Sequence, residues 1–401
     1  MVNISNINNP YIISSKSTQL ESTQPNKDKV EANCVENKNL IDNYITAQGL
    51  YNQPLLKSTK FESNPSGISN YNNYFEKDIN GNVLTSVVYS QENGSIIQKV
   101  KTTSADGTTV DRTTSNNDSI KQMTILIKDK NGKVLLNKNK STEKISDDAK
   151  KTTVNGEVYN VSGLNSDILS VEHNGEIVNI DLRKMTDEEV GKMSLEFGKN
   201  GEEIESFEER KNPITDDERK ILYSKVKHLD GDDLFRLSKQ IQKLSYLDVP
   251  DGALESFYNG ENRNLIYSKD VGGLVISHEL GHGVNHNVNT NVGDFNALKS
   301  NNEHYQNMYN YEVNNFHKNP TVSSGEKSFD MKFTNVENMM RTGMTREEAE
   351  QRVRDENFAE SYVVLNCTDI LNFDENIHSR ALALTKNMPR TLAQVEYLSN
   401  Q

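Results

Sequence analysis

Residues 274–283 read Leu274-Val275-Ile276-Ser277-His278-Glu279-Leu280-Gly281-His282-Gly283. In a helix, residues four apart lie on the same face, so His278 and His282 can present imidazole nitrogens to one metal ion. Zinc held by two histidines and a third protein ligand keeps a water in its open position and brings the pKa of that water toward neutrality. Glu279 lies beside the pair and can accept the water's proton. This pattern is typical of a metallopeptidase; the alternative is an amphipathic helix that carries two histidines by chance.

The residues around this stretch also suit a buried helix. Gly272 and Gly273 interrupt the chain before the helix, and the apolar residues after them predict a buried first turn. Gly281 and Gly283 are each less favourable than alanine in a helix by about 1 kcal/mol, so they indicate room for close packing or for substrate. We interpret His286, one turn further on, as a helix-end residue or a support for a ligand, because a third ligand from this helix would lie too far along its axis.

A second stretch supplies candidate carboxylate ligands. The sequence from Thr345 predicts a helix that continues to Leu365, and within it Glu356 and Glu360 are four residues apart on one face. One carboxylate can complete a zinc site while the other accepts a hydrogen bond from the remaining N–H of a ligand histidine. Two carboxylates among apolar neighbours would repel each other without a cation to face. The alternative is a solvated acidic stripe, which suits the earlier glutamates of this helix better.

Taken together, the two stretches resemble a family of zinc metallopeptidases. The similarity is to the catalytic domain of anthrax lethal factor and to the related bacterial Pro-Pro endopeptidases, which are zincins with a glutamate third ligand. It is carried by Val275-Ile276-Ser277-His278-Glu279-Leu280-Gly281-His282-Gly283-Val284 and by Glu356-Asn357-Phe358-Ala359-Glu360-Ser361-Tyr362. Residues 386–392 also resemble the start of the C-terminal helix of that domain. The resemblance covers residues 270–401, roughly a third of the chain.

This resemblance implies a Zn²⁺ site formed by His278, His282 and Glu356. It also implies that Glu279 is the catalytic base and that Glu360 accepts a hydrogen bond from a ligand histidine. The implied reaction is hydrolysis of peptide bonds within a protein substrate, because the family consists of toxins and secreted enzymes that cut other proteins.

The sequence departs from the family in two respects. The family has a tyrosine about two turns before the ligand glutamate that helps to stabilise the oxyanion, whereas no tyrosine occurs here between Tyr311 and Tyr362. The gap between His282 and Glu356 is also longer than in lethal factor, which suggests an insertion around 290–343 that could shape the substrate groove. Either turnover is weak or another side chain takes the tyrosine's role, and the candidates are Tyr305, Tyr309, Tyr311, His317 and Arg341.

Composition excludes several classes of protein. The formal net charge of −13 is spread along the 401 residues without a basic block, which argues against nucleic acid and anionic membrane as partners. No apolar window is long enough to span a membrane, and residues 1–30 lack the pattern of a cleavable signal peptide. The only cysteines, Cys34 and Cys367, are interpreted as free thiols, so the fold must hold without disulfide bonds.

Changes in composition and periodicity along the sequence predict an α+β protein with three parts. Residues 1–60 are rich in Asn, Ser and Thr with little periodicity, which is typical of a disordered leader. Such a start resembles the uncleaved export signals of bacterial proteins that are injected into host cells. Residues 61–183 form a β-hairpin-rich region, and residues 184–401 form the mainly helical, zincin-like metallopeptidase domain. We therefore expect a protein that is secreted or injected without a cleavable signal peptide; the alternative is a cytoplasmic one.

Within 61–183, short alternating stretches are separated by dipeptides that favour type I′ turns, because both central residues of such a turn need positive φ. The strand-like stretches include 83–89, 96–100, 123–127 and 134–136. This region is either a recognition or adhesion module or a spacer sheet with no site of its own. The turn dipeptides are Asn80-Gly81, Asn93-Gly94, Asp106-Gly107, Asn131-Gly132, Asn155-Gly156 and Asn174-Gly175.

After residue 181 the pattern becomes helical. Capping sequences at Thr186 and Thr215 predict two helix starts, and Asp232 opens a third helix whose apolar residues continue to Leu244. Two short apolar stretches, 254–258 and 265–268, predict a hairpin that leads into the His-Glu helix. One of its strands could be an edge on which an extended peptide is bound by main-chain hydrogen bonds.

The leading hypothesis is therefore a zinc-dependent endopeptidase that acts as a secreted bacterial effector or toxin, with a protein or peptide as its substrate and a host protein as one candidate. A second hypothesis, from a different class, is a β-rich binding protein whose zincin domain is structural or inactive. A third is an intracellular peptidase that is never exported.

Overall fold

The computed structural model describes residues 58–62, 73–78, 82–197, 203–209, 214–250, 256–269, 272–286, 298–318, 329–330, 332–341, 343–369 and 380–401. An antiparallel sheet comes first and a mainly helical part follows, so the fold is α+β as predicted. The predicted leader lies outside the described residues up to residue 57, and so does the predicted turn at 80–81.

An eleven-stranded sheet makes up the first part, and each strand pairs antiparallel with the next one in the sequence. The predicted strand-like stretches all lie within it. The strands are β1 (Ser58–Glu62), β2 (Asn73–Lys77), β3 (Val83–Glu92), β4 (Ser95–Thr103), β5 (Thr109–Asn116), β6 (Ile120–Lys128), β7 (Val134–Ser146), β8 (Ala149–Val154), β9 (Glu157–Ser162), β10 (Ile168–His173) and β11 (Glu176–Asp181).

The hairpin turns follow the prediction at three of the described positions. Asn93, Asn155 and Asn174 have positive φ, and so do the glycines after them, as a type I′ turn requires. Hairpins are also present at 106–107 and 131–132, but the type I′ turn is not formed there, because only the glycine has positive φ. There Oδ1 of Asp106 accepts hydrogen bonds from Ser104 and Thr108, and this local bonding favours a longer loop over the two-residue turn.

The second part contains a smaller sheet of five strands in the order β13-β12-β14-β16-β15. Its strands are β12 (Thr186–Phe197), β13 (Glu203–Glu209), β14 (Lys243–Asp248), β15 (Ser256–Asn259) and β16 (Asn264–Tyr267). The helices are α1 (Leu182–Met185), α2 (Asp216–Lys227), α3 (Gly231–Gln240), α4 (Gly273–Asn285), α5 (Glu303–Lys318), α6 (Val336–Met340), α7 (Arg346–Asn366), α8 (Arg380–Asn387) and α9 (Pro389–Ser399).

The helix predicted from Thr186 is wrong, because that stretch is strand β12. It pairs antiparallel with β13 and parallel with β14, and these neighbours satisfy the backbone groups that a helix would have paired internally. Gly191 in its middle also lowers the helix propensity. The capping box at Thr215 is confirmed as the start of α2. The third helix is confirmed as α3, but it ends at Gln240, and Leu244 belongs to β14.

The predicted hairpin before the His-Glu helix is confirmed. β15 and β16 pair antiparallel, and β15 forms one edge of the five-stranded sheet. The side chain of Ser256, at the start of β15, reaches α4, where its Oγ lies 3.0 Å from Oε1 of Glu279. The edge strand therefore borders the helix that carries the histidines.

One face of the large sheet packs directly against the helices through buried cations. Arg112 on β5 donates to the carbonyl oxygen of Cys367 (2.8 Å), and Lys140 on β7 donates to that of Asn366 (2.9 Å). Lys138 on β7 forms a buried ion pair with Glu396 of α9 (2.7 Å). Cations at the last carbonyls of a helix oppose the negative end of its dipole. The sheet therefore fixes the C-terminal end of α7.

The N-terminus of α9 is held by a carboxylate from α5. Glu312 accepts hydrogen bonds from the backbone N–H groups of Arg390 (2.8 Å) and Thr391 (2.9 Å), and from the Thr391 hydroxyl (2.7 Å). Burial raises the pKa of Glu312, these hydrogen bonds lower it, and the result is a pKa of about 7. This carboxyl group therefore titrates near neutral pH in the folded protein.

Glu312→Gln is expected to change how stability depends on pH. The pKa of Glu312 rises from 4.5 to about 7 on folding. Ionisation of this carboxyl group therefore has no effect on the free energy of unfolding below pH 4.5, and it lowers that free energy progressively as the pH rises to 7. Wild type should lose up to about 3 kcal/mol relative to the variant over that range. Urea unfolding of the metal-free proteins between pH 5 and pH 8 measures the difference. The control is Glu303→Gln, at the exposed start of α5. If the unfolding free energies of wild type and Glu312→Gln changed in parallel with pH, the raised pKa of Glu312 would be contradicted.

No helix in the described part of the chain is both long and apolar enough to cross a membrane. Cys367 is a buried free thiol, and burial raises its pKa to about 12. Cys34 lies outside the described residues. A thiol with so high a pKa is not a nucleophile at neutral pH.

Candidate metal centre

Helices α4 and α7 pack closely because a glycine lies at their contact. A Cβ atom on Gly281 would lie 2.9 Å from both the Cα and the carbonyl oxygen of Ala359 on α7. Gly281 therefore has the packing role predicted for it. His286 caps the C-terminus of α4, directly after its last residue, in agreement with one of the two interpretations from the sequence.

Gly281→Ala is expected to destabilise the protein, although alanine favours a helix. The added Cβ meets backbone atoms of α7 that cannot move aside locally, and overpacking of this kind costs about 1–3 kcal/mol. Gly273→Ala, in the first turn of the same helix, is the matched control because a Cβ there meets no atom within 4 Å. Urea unfolding measures both variants. If the urea midpoint of Gly281→Ala were unchanged, α4 and α7 could move apart without loss of stability.

The close helix contact brings the predicted ligands together. The imidazole rings of His278 and His282 have their centroids 4.9 Å apart. Nε2 of His278 lies 3.4 Å from Oε2 of Glu356, and Nε2 of His282 lies 3.7 Å from its Oε1. One ligand atom from each of the three side chains falls within 4.8 Å of the others. Bonds of about 2.0–2.2 Å to a shared Zn²⁺ require separations only slightly shorter than these.

Each histidine is oriented through its other ring nitrogen. Nδ1 of His278 donates to Oε2 of Glu360 at 3.1 Å, as predicted for a carboxylate that supports a ligand. Nδ1 of His282 lies 3.0 Å from Oδ1 of Asp355. A carboxylate at Nδ1 holds the proton there and leaves Nε2 as the electron-pair donor. Each histidine therefore has a carboxylate beside Nδ1 and has Nε2 on the side of Glu356.

Asp355 is itself held by a buried hydrogen-bond network. Asn285, the last residue of α4, donates to Oδ1 of Asp355 (2.8 Å) and to Oγ of Ser300 (3.0 Å). The backbone N–H of Ser300 donates in turn to Oδ1 of Asn285 (2.8 Å). Sequence reasoning missed Asp355, although its position beside Glu356 on the same helix was a signal.

The charges around the ligands are strongly coupled. Burial alone would lower the pKa of His278, but the hydrogen bonds with Glu356 and Glu360 raise it to about 10. Burial raises the pKa of Glu356, yet the nearby Arg352 guanidinium and the histidines hold it well below its usual value. Burial likewise raises the pKa of Glu360, while the charge of Arg380 and the bond with His278 lower it to about 2. The carboxylates are therefore ionised, and they hold a proton on His278 that would have to leave when a metal ion binds.

Glu279 lies beside the histidines and is buried, with 6% of its surface exposed. Its Oε1 accepts a hydrogen bond from the Ser256 hydroxyl of β15, and this bond does not involve Oε2. A carboxylate held at one oxygen next to a metal site can take a proton at the other. Sequence reasoning predicted Glu279 but not Ser256, which lies 23 residues earlier.

The candidates for oxyanion stabilisation are engaged elsewhere or exposed. Tyr305 donates to the backbone carbonyl of Arg354 (3.1 Å), and Tyr309 donates to that of Phe333 (2.5 Å). His317 is paired with Asp330 at 3.0 Å, and Tyr311 and Arg341 are exposed. Among the described residues, none of the five forms a hydrogen bond or ion pair with the two histidines or Glu356.

Two other cations act on the site, and the sequence did not reveal them. The charge of Lys332 interacts with Glu279, Glu356 and Glu360, although burial lowers the pKa of its amine. Arg380, whose guanidinium lies 5.8 Å from the centre of the Phe333 ring, acts on Glu360. Both cations come from segments that are distant in the sequence, so no local spacing could have identified them.

A second acidic cluster already has a cation of its own. The carboxylates of Asp230, Asp232 and Asp233 approach one another closely enough to hold a metal ion. However, Nζ of Lys140 lies between 2.8 and 3.2 Å from an oxygen of each. The three carboxylates raise the pKa of this buried ammonium well above its usual value, although burial opposes them. We therefore describe this cluster as a buried ion-pair network.

Comparisons of the chain with protein-family models, with curated proteins and with solved structures gave no match. The similarity to zincins therefore rests on the motifs of the sequence.

Proposed function

We propose that this protein is a zinc-dependent endopeptidase. The observation that carries the proposal is the convergence of His278, His282 and Glu356 within 4.8 Å of one another. Two imidazole nitrogens and one carboxylate are a donor set that suits Zn²⁺ and leaves a position open for water. The buried carboxylate of Glu279 next to this set is what distinguishes a hydrolytic site from a structural one.

The chain's own residues then have distinct roles. A bound Zn²⁺ would supply a Lewis acid for the scissile carbonyl and for a water molecule. Glu279 would take a proton from the attacking water and later deliver it to the leaving amine. Glu360 and Asp355 hold the two histidines in the required tautomer. Ser256 donates a hydrogen bond to Oε1 of Glu279, and we assign the proton transfer to Oε2.

The substrate proposed is an extended segment of a protein. β15 is an edge strand that contacts α4 through Ser256 and Glu279, so a peptide added to that edge would run past the metal site. Main-chain hydrogen bonds bind such a peptide largely independently of its side chains. The positive charges of Lys332 and Arg380 are available to stabilise the oxyanion in place of the missing tyrosine.

The biological setting we propose is a secreted or injected bacterial effector or toxin whose substrate is a host protein. It is supported by the composition of residues 1–60 and by the resemblance to secreted zincins. The second candidate is a binding protein whose β-rich region is the working part. The buried cations that join the large sheet to α7 favour the first candidate, because they give that sheet a structural role in the metal site.

Metal analysis together with cleavage of a peptide library tests the proposal. We expect about one zinc per chain, peptide hydrolysis that a chelator stops, and recovery on adding zinc. His282→Ala should lose both metal and activity, whereas His304→Ala, an exposed histidine of α5, should lose neither. Zinc without cleavage of any peptide would support the binding-protein alternative. Absence of zinc in the folded wild type would reject the metal site itself.

A further inference from the structure

Arg352 is a buried cation one helical turn before Glu356 on α7, and its side chain is 8% exposed. Its Nη2 atom lies 2.6 Å from Oε1 of Glu356, and its Nη1 atom lies 3.6 Å from Oδ2 of Asp355. One guanidinium therefore contacts both the candidate ligand and the carboxylate that orients His282. Helical i, i+4 spacing allows this pairing, and the planar fork of arginine suits two carboxylates at once.

The two oxygens of Glu356 are consequently not equivalent. Oε1 lies 3.7 Å from Nε2 of His282 and carries the short contact to Arg352, whereas Oε2 lies 3.4 Å from Nε2 of His278. Each carboxylate oxygen has two lone pairs, so Arg352 does not block Oε1 sterically. The positive charge at 2.6 Å instead draws electron density onto itself and makes Oε1 the poorer donor. Oε2 remains as the stronger donor toward a cation.

We propose that Arg352 is a positioning residue that makes Glu356 bind the metal through one oxygen only. The inference rests on the proposed metal site and does not depend on peptidase activity. A carboxylate that binds through both oxygens occupies two coordination positions, while one that binds through a single oxygen occupies one. Arg352 thereby limits to three the number of donor atoms that the protein supplies to the metal. A four-coordinate metal held in this way would keep one position for water or substrate.

Cobalt substitution tests this role by spectroscopy on the full chain. Co²⁺ replaces Zn²⁺ in such sites, and its visible absorption is intense in a four-coordinate site and weaker when a fifth donor binds. We expect the intense spectrum from wild type and a weaker one from Arg352→Met, in which Oε1 is released. Arg346→Met is the matched control, because Arg346 is an exposed arginine of the same helix that pairs with Glu337. It should keep the wild-type spectrum.

The outcomes separate this inference from the proposed function. Failure of wild type to bind Co²⁺ would reject the metal site. Binding with identical spectra in wild type and Arg352→Met would overturn the role of Arg352 and leave the site standing. Should Arg352→Met fail to fold, zinc-edge X-ray absorption of wild type decides the same point. One carboxylate oxygen at about 2.0–2.2 Å supports the inference, and two overturn it.

Discussion

Glu279→Gln is expected to abolish peptide hydrolysis while leaving the metal content of the protein unchanged. Glu279 is buried beside His278 and His282 but is not one of the three converging ligands. The amide of glutamine keeps the shape of the side chain but cannot take the proton of the attacking water. General-base catalysis contributes about 10²–10⁴-fold, so the rate of cleavage should fall by at least that factor.

The measurement is the rate of cleavage of one library-derived peptide, alongside zinc content and the urea midpoint. Glu261→Gln is the matched control, because Glu261 is exposed in the turn between β15 and β16, close to the edge strand. It should leave all three quantities unchanged. If Glu279→Gln retained full activity, the water would have to be deprotonated by another group and the mechanism proposed above would be wrong.

Local spacing was enough to predict which side chains share a helix face, because helical geometry converts sequence separation directly into position. His278 and His282 lie on one face of α4, and Glu356 and Glu360 lie on one face of α7. The sequence could not show that these two faces meet, and only the resemblance suggested it. In the structure, Gly281 against Ala359 allows that approach.

Features that depend on tertiary contacts were missed for a physical reason. Thr186 begins a sequence that suits a helix, but pairing with β13 and β14 outweighs a preference worth a few tenths of a kcal/mol per residue. Lys332 and Ser256 reach the site from other segments, so no periodicity links them to Glu279. Arg352 is the exception, since its i, i+4 relation to Glu356 was visible in the sequence and could have been interpreted as an ion pair.

Lys140→Met is expected to destabilise the whole protein by about 3–5 kcal/mol, because it leaves a buried group of carboxylates without its central cation. Asp230, Asp232 and Asp233 each lie within 3.2 Å of the Lys140 ammonium, and all are nearly inaccessible to water. Arg236 remains near Asp232 at 3.2 Å, so the cluster keeps only part of its compensation. A loss of this size is a large fraction of the 5–15 kcal/mol that stabilises a typical domain.

Lys144→Met is the matched control, since Lys144 lies on the same strand and pairs with Asp147 at an exposed position, where ion pairs contribute at most about 1 kcal/mol. Urea unfolding measures both variants. Adding Asp230→Asn to Lys140→Met removes the one carboxylate of the three that has no ion pair with Arg236 among the described residues, and it should recover part of the loss, which a double-mutant cycle quantifies. Because Lys140 also holds the last carbonyl of α7, the zinc affinity of Lys140→Met should fall together with its stability. Reduced stability with unchanged zinc affinity would mean that the large sheet supports the fold without affecting the helix that carries Glu356.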